Sequence, residues 1–307
     1  MLGISKKDLQ VGDILIFPAP ESSWLSQAIA LLTDSKVSHA ALLYKNSPQY
    51  VIAESTLGGA RFVELPDEMP FVRRYGLDSE KTKKLVSRIE RYIQDGTDYG
   101  YADMALLAIL LIYKKMSPQK LRNRIYMKFL QMIASELDGI VDKILSKGGN
   151  MPMVCSQFAA QCYTDIHCDL TFSKFVVDIN PPTADAIEGV SSSSISLFNL
   201  FHEKQQNGIM TPSQVFATPA ITDDSIKENI AKDFCKLITM PDNELSCGNV
   251  DALHSSKEVC CNEKMVATVS SVMSLLEKII GKPNFLVTPA DLLWNCTNAE
   301  LIGQIKD

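Results

Sequence analysis

VSHAALLYKNSPQYVIAES, residues 37–55, consists of two apolar runs separated by a short polar turn. Each run has the length and apolar content of a buried strand, and Asn46 and Pro48 are typical turn residues. Residues 22–35 carry the apolar period of a helix that begins at serine, and three more short apolar runs lie at 11–17, 60–65 and 70–75. The N-terminal hundred residues therefore predict a small, mainly antiparallel sheet with one helix packed on it.

The loop length decides which residues of the two strands face each other. A four-residue loop at 45–48 pairs Tyr44 with Gln49, which sets His39 directly opposite Glu54 on one face of the sheet. Directly opposed residues have Cβ atoms about 4.5–5.5 Å apart, close enough for a carboxylate to orient an imidazole. Two interpretations stay open: a functional pair, or a structural strand histidine beside a strand-end surface acid.

The composition is that of an ordinary globular protein. The 307 residues are 46% hydrophobic and 21% charged, and the net charge of −6 disfavours a nucleic-acid binder, which needs a basic surface. The N-terminus lacks the apolar segment of a Sec signal peptide, and no apolar run reaches the length of about 18 residues that a membrane-spanning helix needs. We therefore expect a cytoplasmic protein, or one exported by a route without a Sec signal.

The chain beyond the predicted sheet is mainly helical. Residues 79–96 predict a helix with Ser79 as its N-cap and Gly96 at its end, and a helical insertion follows at about 101–147. We predict a domain over 1–222 and an acidic, mainly helical C-terminal extension over 223–307, which we expect to bind a protein partner. Threonine followed by proline predicts two further helix starts, at Thr211 and Thr288.

Cys155 begins the helix that follows a Gly-Gly-Asn turn. The apolar stripe of this helix continues at helical spacing through Phe158, Ala159, Cys162 and Ile166. A buried packing residue is the simpler interpretation of Cys155, because free cysteines are commonly buried. The alternative is a nucleophile, since the unpaired N–H groups and the positive dipole end of a helix N-terminus lower the pKa of a thiol.

A cysteine nucleophile needs a base, normally a histidine, and the chain has four. His167 is too far along the helix of Cys155 to reach it. His202 lies in a polar segment, and His254 lies in the predicted C-terminal extension. His39, inside an apolar strand, is the remaining candidate.

The eight cysteines do not indicate a metal site. Four of them lack the close pairs of a structural zinc site, and His254 does not complete one; they are Cys235, Cys247, Cys260 and Cys261. A disulfide framework is equally disfavoured in a chain of this length without a signal sequence. We therefore expect no metal and no other cofactor.

The order of the motifs resembles the permuted branch of the NlpC-type papain-like superfamily, and in particular the YiiX/YaeF-like cysteine hydrolases. GDILIF (12–17), SHAALL (38–43) and VIAES (51–55) come first, and CSQF (155–158) follows much later. In the unpermuted branch the cysteine helix precedes the strands. The likeness extends to FVRRY (71–75) and TPSQVFATP (211–219), and covers discontinuous parts of residues 8 to 222.

The resemblance implies a papain-like α+β fold with Cys155 as nucleophile, His39 as base and Glu54 as the orienting third group. It also implies thiol chemistry on an amide, ester or thioester through an acyl-enzyme. The expected function is therefore a cysteine hydrolase of amidase or peptidase type. A lipid-directed hydrolase or fatty-acyltransferase and a non-catalytic binding module on the same fold are the alternatives.

The helical insertion is a departure from this family. After the apolar run at 104–113 it carries six basic residues and no acid: Lys114, Lys115, Lys120, Arg122, Arg124 and Lys128. An apolar segment beside a basic cluster is typical of contact with an anionic membrane surface. A helical hairpin that packs on the core, with solvated lysines, is the simpler interpretation.

Overall fold

The protein is described by a computed structural model that covers residues 2–56, 58–97, 111, 153–176, 224–240, 284 and 286–306. The chain divides into two compact units. The first contains Met1–Met104, Ile144–Val176 and Pro283–Asp307, and the second contains Ala105–Lys143 and Val177–Lys282. The described part of the first unit is a mixed α+β structure, which confirms the predicted fold class at this level.

A seven-stranded sheet forms the centre of the first unit. Its strands are β1 (Gly3–Ile4), β2 (Ile14–Pro18), β3 (Val37–Lys45), β4 (Val51–Thr56), β5 (Gly59–Glu64), β6 (Phe71–Arg74) and β7 (Glu300–Ile305). The order across the sheet is β1-β7-β6-β2-β3-β4-β5. Only β1 and β7 run parallel within this sheet; the other neighbours are antiparallel. The predicted strands in the N-terminal hundred residues are therefore confirmed.

In the described part of the first unit, three helices contact this sheet: α1 (Trp24–Leu32), α2 (Ser79–Gln94) and α3 (Cys155–Thr164). Ser23 caps α1 by accepting a hydrogen bond from the Ser26 N–H, as its sequence predicts. The N-cap of α2 is Asp78 rather than the predicted Ser79, because the Asp78 carboxylate accepts from the Lys81 N–H at 2.8 Å. The α2 helix ends before Gly96, whose φ of +64° suits glycine.

The central strands are buried on both faces, and each face has its own core. Ile14, Ile16 and Leu42 pack with Phe158 and Tyr163 of α3 in the larger cluster. A smaller cluster on the opposite face includes the alternate strand residues Leu15, Phe17, Ala41 and Leu43. Because successive side chains of a strand point to opposite faces, these near-continuous apolar runs are what a sheet covered on both sides requires.

The register of the β3–β4 hairpin differs from the predicted one. Leu42 pairs with Ala53, which is a shift of two residues relative to the pairing of Tyr44 with Gln49. An irregularity between Leu43 and Lys45 adds a residue to β3 and lengthens the turn. A shift by two residues leaves every side chain on its predicted face, whereas a shift by one would have reversed the faces.

The largest difference from the sequence-based prediction lies at the C-terminal end of the chain. Residues 223–307 were expected to be mainly helical, but β7 lies inside the sheet between β1 and β6. At Gly303, a Cβ would meet the Leu2 carbonyl oxygen at 2.5 Å, so glycine permits the close approach of β7 to the N-terminal segment. The sequence did not predict β7, because the strands that pair with it lie far away in the chain.

Other parts of the C-terminal prediction agree with the structure. In the second unit, α4 (Asp224–Thr239) is a helix. In the first unit, Thr288 and Asp291 form a reciprocal cap: the Asp291 N–H donates to Thr288 Oγ1 at 3.1 Å, and the Thr288 N–H donates to Asp291 Oδ2 at 3.0 Å. The helical turn that begins here continues as a π-helix over Asp291–Asn295.

Several predictions lie outside the described residues. These are the helix start at Thr211, the helical insertion apart from Leu111, and the basic cluster Lys114, Lys115, Lys120, Arg122, Arg124 and Lys128. Among the residues that are described, none of the helices combines the length and hydropathy needed to cross a membrane.

Candidate active site

The N-terminus of α3 contacts β3 and β4 where their pairing ends. The pairs of this ladder run from Lys45↔Val51 to Leu42↔Ala53. Beyond the last pair, Ser55 Oγ donates to the Met153 carbonyl at 2.7 Å, and the Ala40 N–H bonds the Cys155 sulfur. The Ser55 hydroxyl and the Ala40 backbone N–H therefore hold the start of the helix against the ends of these two strands.

The first turn of α3 is fixed by side chains on both sides of Cys155. Val154 is the N-cap residue with an extended backbone, and its N–H donates to Gln157 Oε1 at 3.0 Å. Ser156 Oγ donates to the Val287 carbonyl at 2.6 Å. Because these three residues are buried, the backbone around Cys155 has a defined position rather than an exposed and fraying helix end.

His39 and Glu54 are in contact, as the sequence analysis expects, but along a diagonal. Glu54 Oε2 lies 2.7 Å from His39 Nε2. Counting on from the Leu42↔Ala53 pair, Glu54 faces Ala41 rather than His39, so the two side chains bridge diagonal positions. Long side chains span such diagonals of a sheet. The ring of Phe17, which pairs with His39 across the β2–β3 ladder, lies 5.7 Å from the His39 ring.

Cys155 and His39 are in contact, and each shifts the pKa of the other. Burial opposes the charge on His39, but the Coulombic attraction and hydrogen bond of Cys155, followed by those of Glu54, raise its pKa from 6.5 to about 10. Burial raises the pKa of the Cys155 thiol, but His39 and the N–H groups of Ala40 and Ser156 outweigh it, so that the pKa is lowered. Each group therefore favours the charged form of the other, a thiolate beside an imidazolium.

The hydrogen-bond partners assign the two nitrogens of the His39 ring. Nε2 is occupied by Glu54, so Nδ1 is the nitrogen left for the thiol. A carboxylate on one side and a thiolate on the other both favour the charged ring. This arrangement can hold a proton at Nδ1 and release it to a group that reacts at the sulfur.

Arg61 is a member of the site that the sequence analysis missed. It lies directly opposite Glu54 in the β4–β5 ladder, and its Nε and Nη2 lie 2.9 and 2.8 Å from Glu54 Oε1. Burial raises the pKa of Glu54, but the bonds from His39 and then Arg61 lower it overall. The signal that could have found Arg61 is Gly58, a typical turn residue, since a tight hairpin that pairs Thr56 with Gly59 sets residue 61 opposite residue 54.

Cys162 provides a contrast within the same helix. Both cysteines are buried, and burial raises the pKa of Cys162 well above the ordinary value of a thiol. No histidine acts on the Cys162 thiol in the described part of the chain, and the charge of Asp165 raises its pKa further. The packing interpretation that was open for Cys155 therefore fits Cys162.

The described residues contain no group of three or more histidines, cysteines or acids that could hold a metal ion. A separate cavity of about 240 Å³ lies near Gly12, Asp13 and Arg74, and neither Cys155 nor His39 lines it. Its buried carboxylate, Asp13, already accepts two hydrogen bonds from Arg74 at 2.7 Å and one from the Gln10 N–H at 2.8 Å. These charges stabilise the start of β2 and are not free for a ligand.

The chain matches no protein-family model and no curated protein. Among solved structures it is similar to the crystal structure of the metalloprotein yiiX from Escherichia coli O157:H7, designated DUF1105. The identity is 21% and the TM-score is 0.30. The match covers 51% of this chain and 66% of that protein, so somewhat under two thirds of its length is represented here. This likeness does not assign the chain to a family.

Proposed function

We propose that the chain is a cysteine hydrolase of amidase or peptidase type on a circularly permuted, NlpC-type papain-like fold. The observation that carries the proposal is the contact series from Cys155 through His39 to Glu54, in which the thiol has a lowered pKa. Thiol acyl transfer needs a nucleophile, a base and an orienting group in this order. The arrangement of the strands before the cysteine helix supports the permuted form.

The first half of the reaction is acylation of Cys155. The thiolate sulfur attacks the carbonyl carbon of an amide or ester, and the C–O π electrons move to the oxygen. When the carbonyl re-forms, the bond to the leaving group breaks, and the leaving amine or alcohol takes the proton from His39 Nδ1. The products are a thioester on Cys155 and a neutral His39.

The backbone N–H of Cys155 is the expected donor to the oxyanion. It occupies the first position of α3, where N–H groups have no acceptor within the helix. The dipole of the helix places partial positive charge at the same end. Donors of this kind that are fixed before the reaction stabilise the tetrahedral intermediate most strongly.

The second half of the reaction resolves the thioester. Neutral His39 takes a proton from water, whose oxygen attacks the acyl carbon, and the sulfur leaves as the thiolate. Glu54 holds the imidazolium that forms. An amine in place of water would give acyl transfer.

An acyl-bearing lipid is the alternative substrate class, because the apolar run at 104–113 precedes a basic cluster.

The test is a reaction with p-nitrophenyl acetate together with alkylation by iodoacetamide between pH 5 and 10. We expect acetylation of Cys155 by peptide mass spectrometry, a burst of p-nitrophenolate, and fast alkylation of Cys155 well below pH 9. In H39A the burst should disappear and the alkylation profile should move to alkaline pH, because the imidazolium that stabilises the thiolate is gone.

Cys162 is the internal control for this experiment, since it lies in the same helix and has a raised pKa. It should stay unmodified in the folded protein at every pH at which Cys155 reacts. The proposal is wrong if Cys155 is as inert as Cys162 or reacts with the same profile in H39A. That outcome would favour the alternative, a non-catalytic binding module on the same fold.

A further inference from the structure

Both oxygens of the Glu54 carboxylate have a cationic partner. Oε2 bonds His39 Nε2 at 2.7 Å, and Oε1 accepts from Arg61 Nε at 2.9 Å and lies 2.8 Å from Arg61 Nη2. The Glu54 side chain is only 8% exposed, whereas that of Arg61 is 55% exposed. The guanidinium therefore covers the carboxylate on the side away from His39 and connects it to the protein surface.

Arg61 is positioned by the sheet itself. Glu54 and Arg61 are direct cross-strand partners in the β4–β5 ladder, which runs in register from Val51↔Glu64 to Thr56↔Gly59. Opposed residues in such a ladder have a defined separation, and a guanidinium presents its N–H groups in a rigid fork. The carboxylate oxygen that points away from His39 therefore has a fixed donor, which restricts rotation of the carboxylate plane.

The charges of the four side chains balance. When Cys155 is ionised and His39 is protonated, thiolate, imidazolium, carboxylate and guanidinium alternate in sign along the contact series from Cys155 to Arg61. Without Arg61 the series carries a net negative charge, and Glu54 Oε1 loses the donors that lower its pKa. A buried carboxylate that loses one of its two cationic partners takes up a proton more readily, and a protonated Glu54 would support the imidazolium less well.

The pair differs from an ordinary surface ion pair. Lys84 and Glu80 on α2 are 60% and 76% exposed, and such exposed pairs contribute little to stability. In the pair of Arg61 with Glu54 the acid is buried and its second oxygen is committed to His39. Loss of Arg61 should therefore alter the protonation and orientation of His39 far more than the stability of the fold.

We propose that Arg61 is a positioning residue that acts through Glu54 on the Cys155–His39 pair. This inference rests on the function proposed above, because it concerns the same reaction. Arg61 contacts neither the sulfur nor the imidazole in the described contacts, so that its effect on reactivity must pass through the carboxylate.

The experiment compares Cys155 alkylation profiles and p-nitrophenyl acetate turnover in wild type, R61Q, R61K, E54Q and the E54Q/R61Q double variant. R91Q is the matched control, because Arg91 is an exposed arginine on α2. In R61Q we expect the alkylation midpoint to rise by about one pH unit, a tenfold lower rate at a fixed pH below it. R61K should lie between wild type and R61Q, and R91Q should match wild type.

The double variant separates positioning from a simple charge effect. If Arg61 acts through Glu54, R61Q should add almost nothing in the E54Q background, because neighbours that work through one contact are not additive. Equal effects of R61Q with and without Glu54, or an unchanged profile in R61Q, would overturn the inference. Thermal melting of R61Q checks that the fold is intact. An inert Cys155 in wild type would instead overturn the proposed function.

Discussion

At the scale of single residues, the chemistry of Cys155 comes from its neighbours and not from its burial. Cys155 and Cys162 are both buried in α3, yet the pKa of Cys155 is lowered and that of Cys162 is raised. The difference is His39 together with two backbone N–H groups that point at one sulfur. The helix N-terminus alone would not produce this, because the cost of burying a charge exceeds what a dipole returns.

Replacement of Glu54 by glutamine tests whether its carboxylate stabilises the charged ring of His39. An imidazolium–thiolate pair exists between the lowered pKa of Cys155 and the raised pKa of His39, which is about 10. Since Glu54 stabilises the charged ring, E54Q should lower the pKa of His39, by about 1–3 units for loss of a neighbouring opposite charge. Nitrogen-15 NMR titration of the ring measures this change.

E64Q is the control for E54Q, because Glu64 is an exposed acid of β5 that bonds only Gln49 among the contacts described. The His39 midpoint should be the same in E64Q and wild type. Equal His39 midpoints in E54Q and wild type would show that the carboxylate does not hold the ring charge.

At the scale of elements, Arg73 of β6 secures the segment that leads into β7. Its guanidinium donates to the Leu293 carbonyl from Nε at 3.0 Å and from Nη2 at 2.6 Å, and from Nη1 to the carbonyls of Cys296, at 2.8 Å, and Ala299. Arg73 is 7% exposed, and burial lowers its pKa despite the opposing influence of Cys296. The planar fork of the guanidinium therefore reaches the carbonyls of three residues in the segment that leads into β7.

Replacement of Arg73 by lysine tests this contact. The ammonium keeps the charge but cannot reach all three carbonyls, and each buried carbonyl left unpaired costs about 1–3 kcal/mol. We therefore expect a lower urea midpoint for R73K with an unchanged m-value. R91K is the control, and an exposed substitution of this kind should change stability by less than about 0.5 kcal/mol. An R73K urea midpoint equal to that of R91K would contradict a stabilising role for the hydrogen bonds of Arg73.

At the scale of the whole molecule, the first unit is assembled from three separate stretches of chain. The stretch Pro283–Asp307 supplies β7 to the sheet and the Val287 carbonyl to Ser156, the neighbour of Cys155. The candidate site therefore depends on residues that the sequence analysis assigned to a separate C-terminal extension.

A fragment of residues 1–222 tests this dependence. Without β7, the facing edges of β1 and β6 lose their hydrogen-bond partners, and exposed edges promote aggregation. We expect no cooperative unfolding transition and no selective alkylation of Cys155 in this fragment. A matched chain, in which residues 1–222 are joined by a Gly/Ser linker to 283–307, should recover both. Cooperative unfolding of the short fragment at the wild-type midpoint would contradict the prediction.

The sequence by itself determined the local elements and the faces of the strands. Apolar period and capping residues predict α1 and the turn at Thr288, and the alternation of side chains puts His39 and Glu54 on one face even though the register is displaced by two residues. These outcomes depend on residues near each other in the chain. Local preferences are sufficient to decide them.

Only the tertiary structure decided the partners that come from distant segments. The position of β7, the fork of Arg73 and the hydrogen bond of Ser156 with Val287 join residues more than one hundred positions apart. No periodicity encodes such pairs, because their free energy comes from desolvation and hydrogen bonds that exist only after the chain has folded. The lowered pKa of Cys155 has the same origin, because it depends on the contact of β3 with α3.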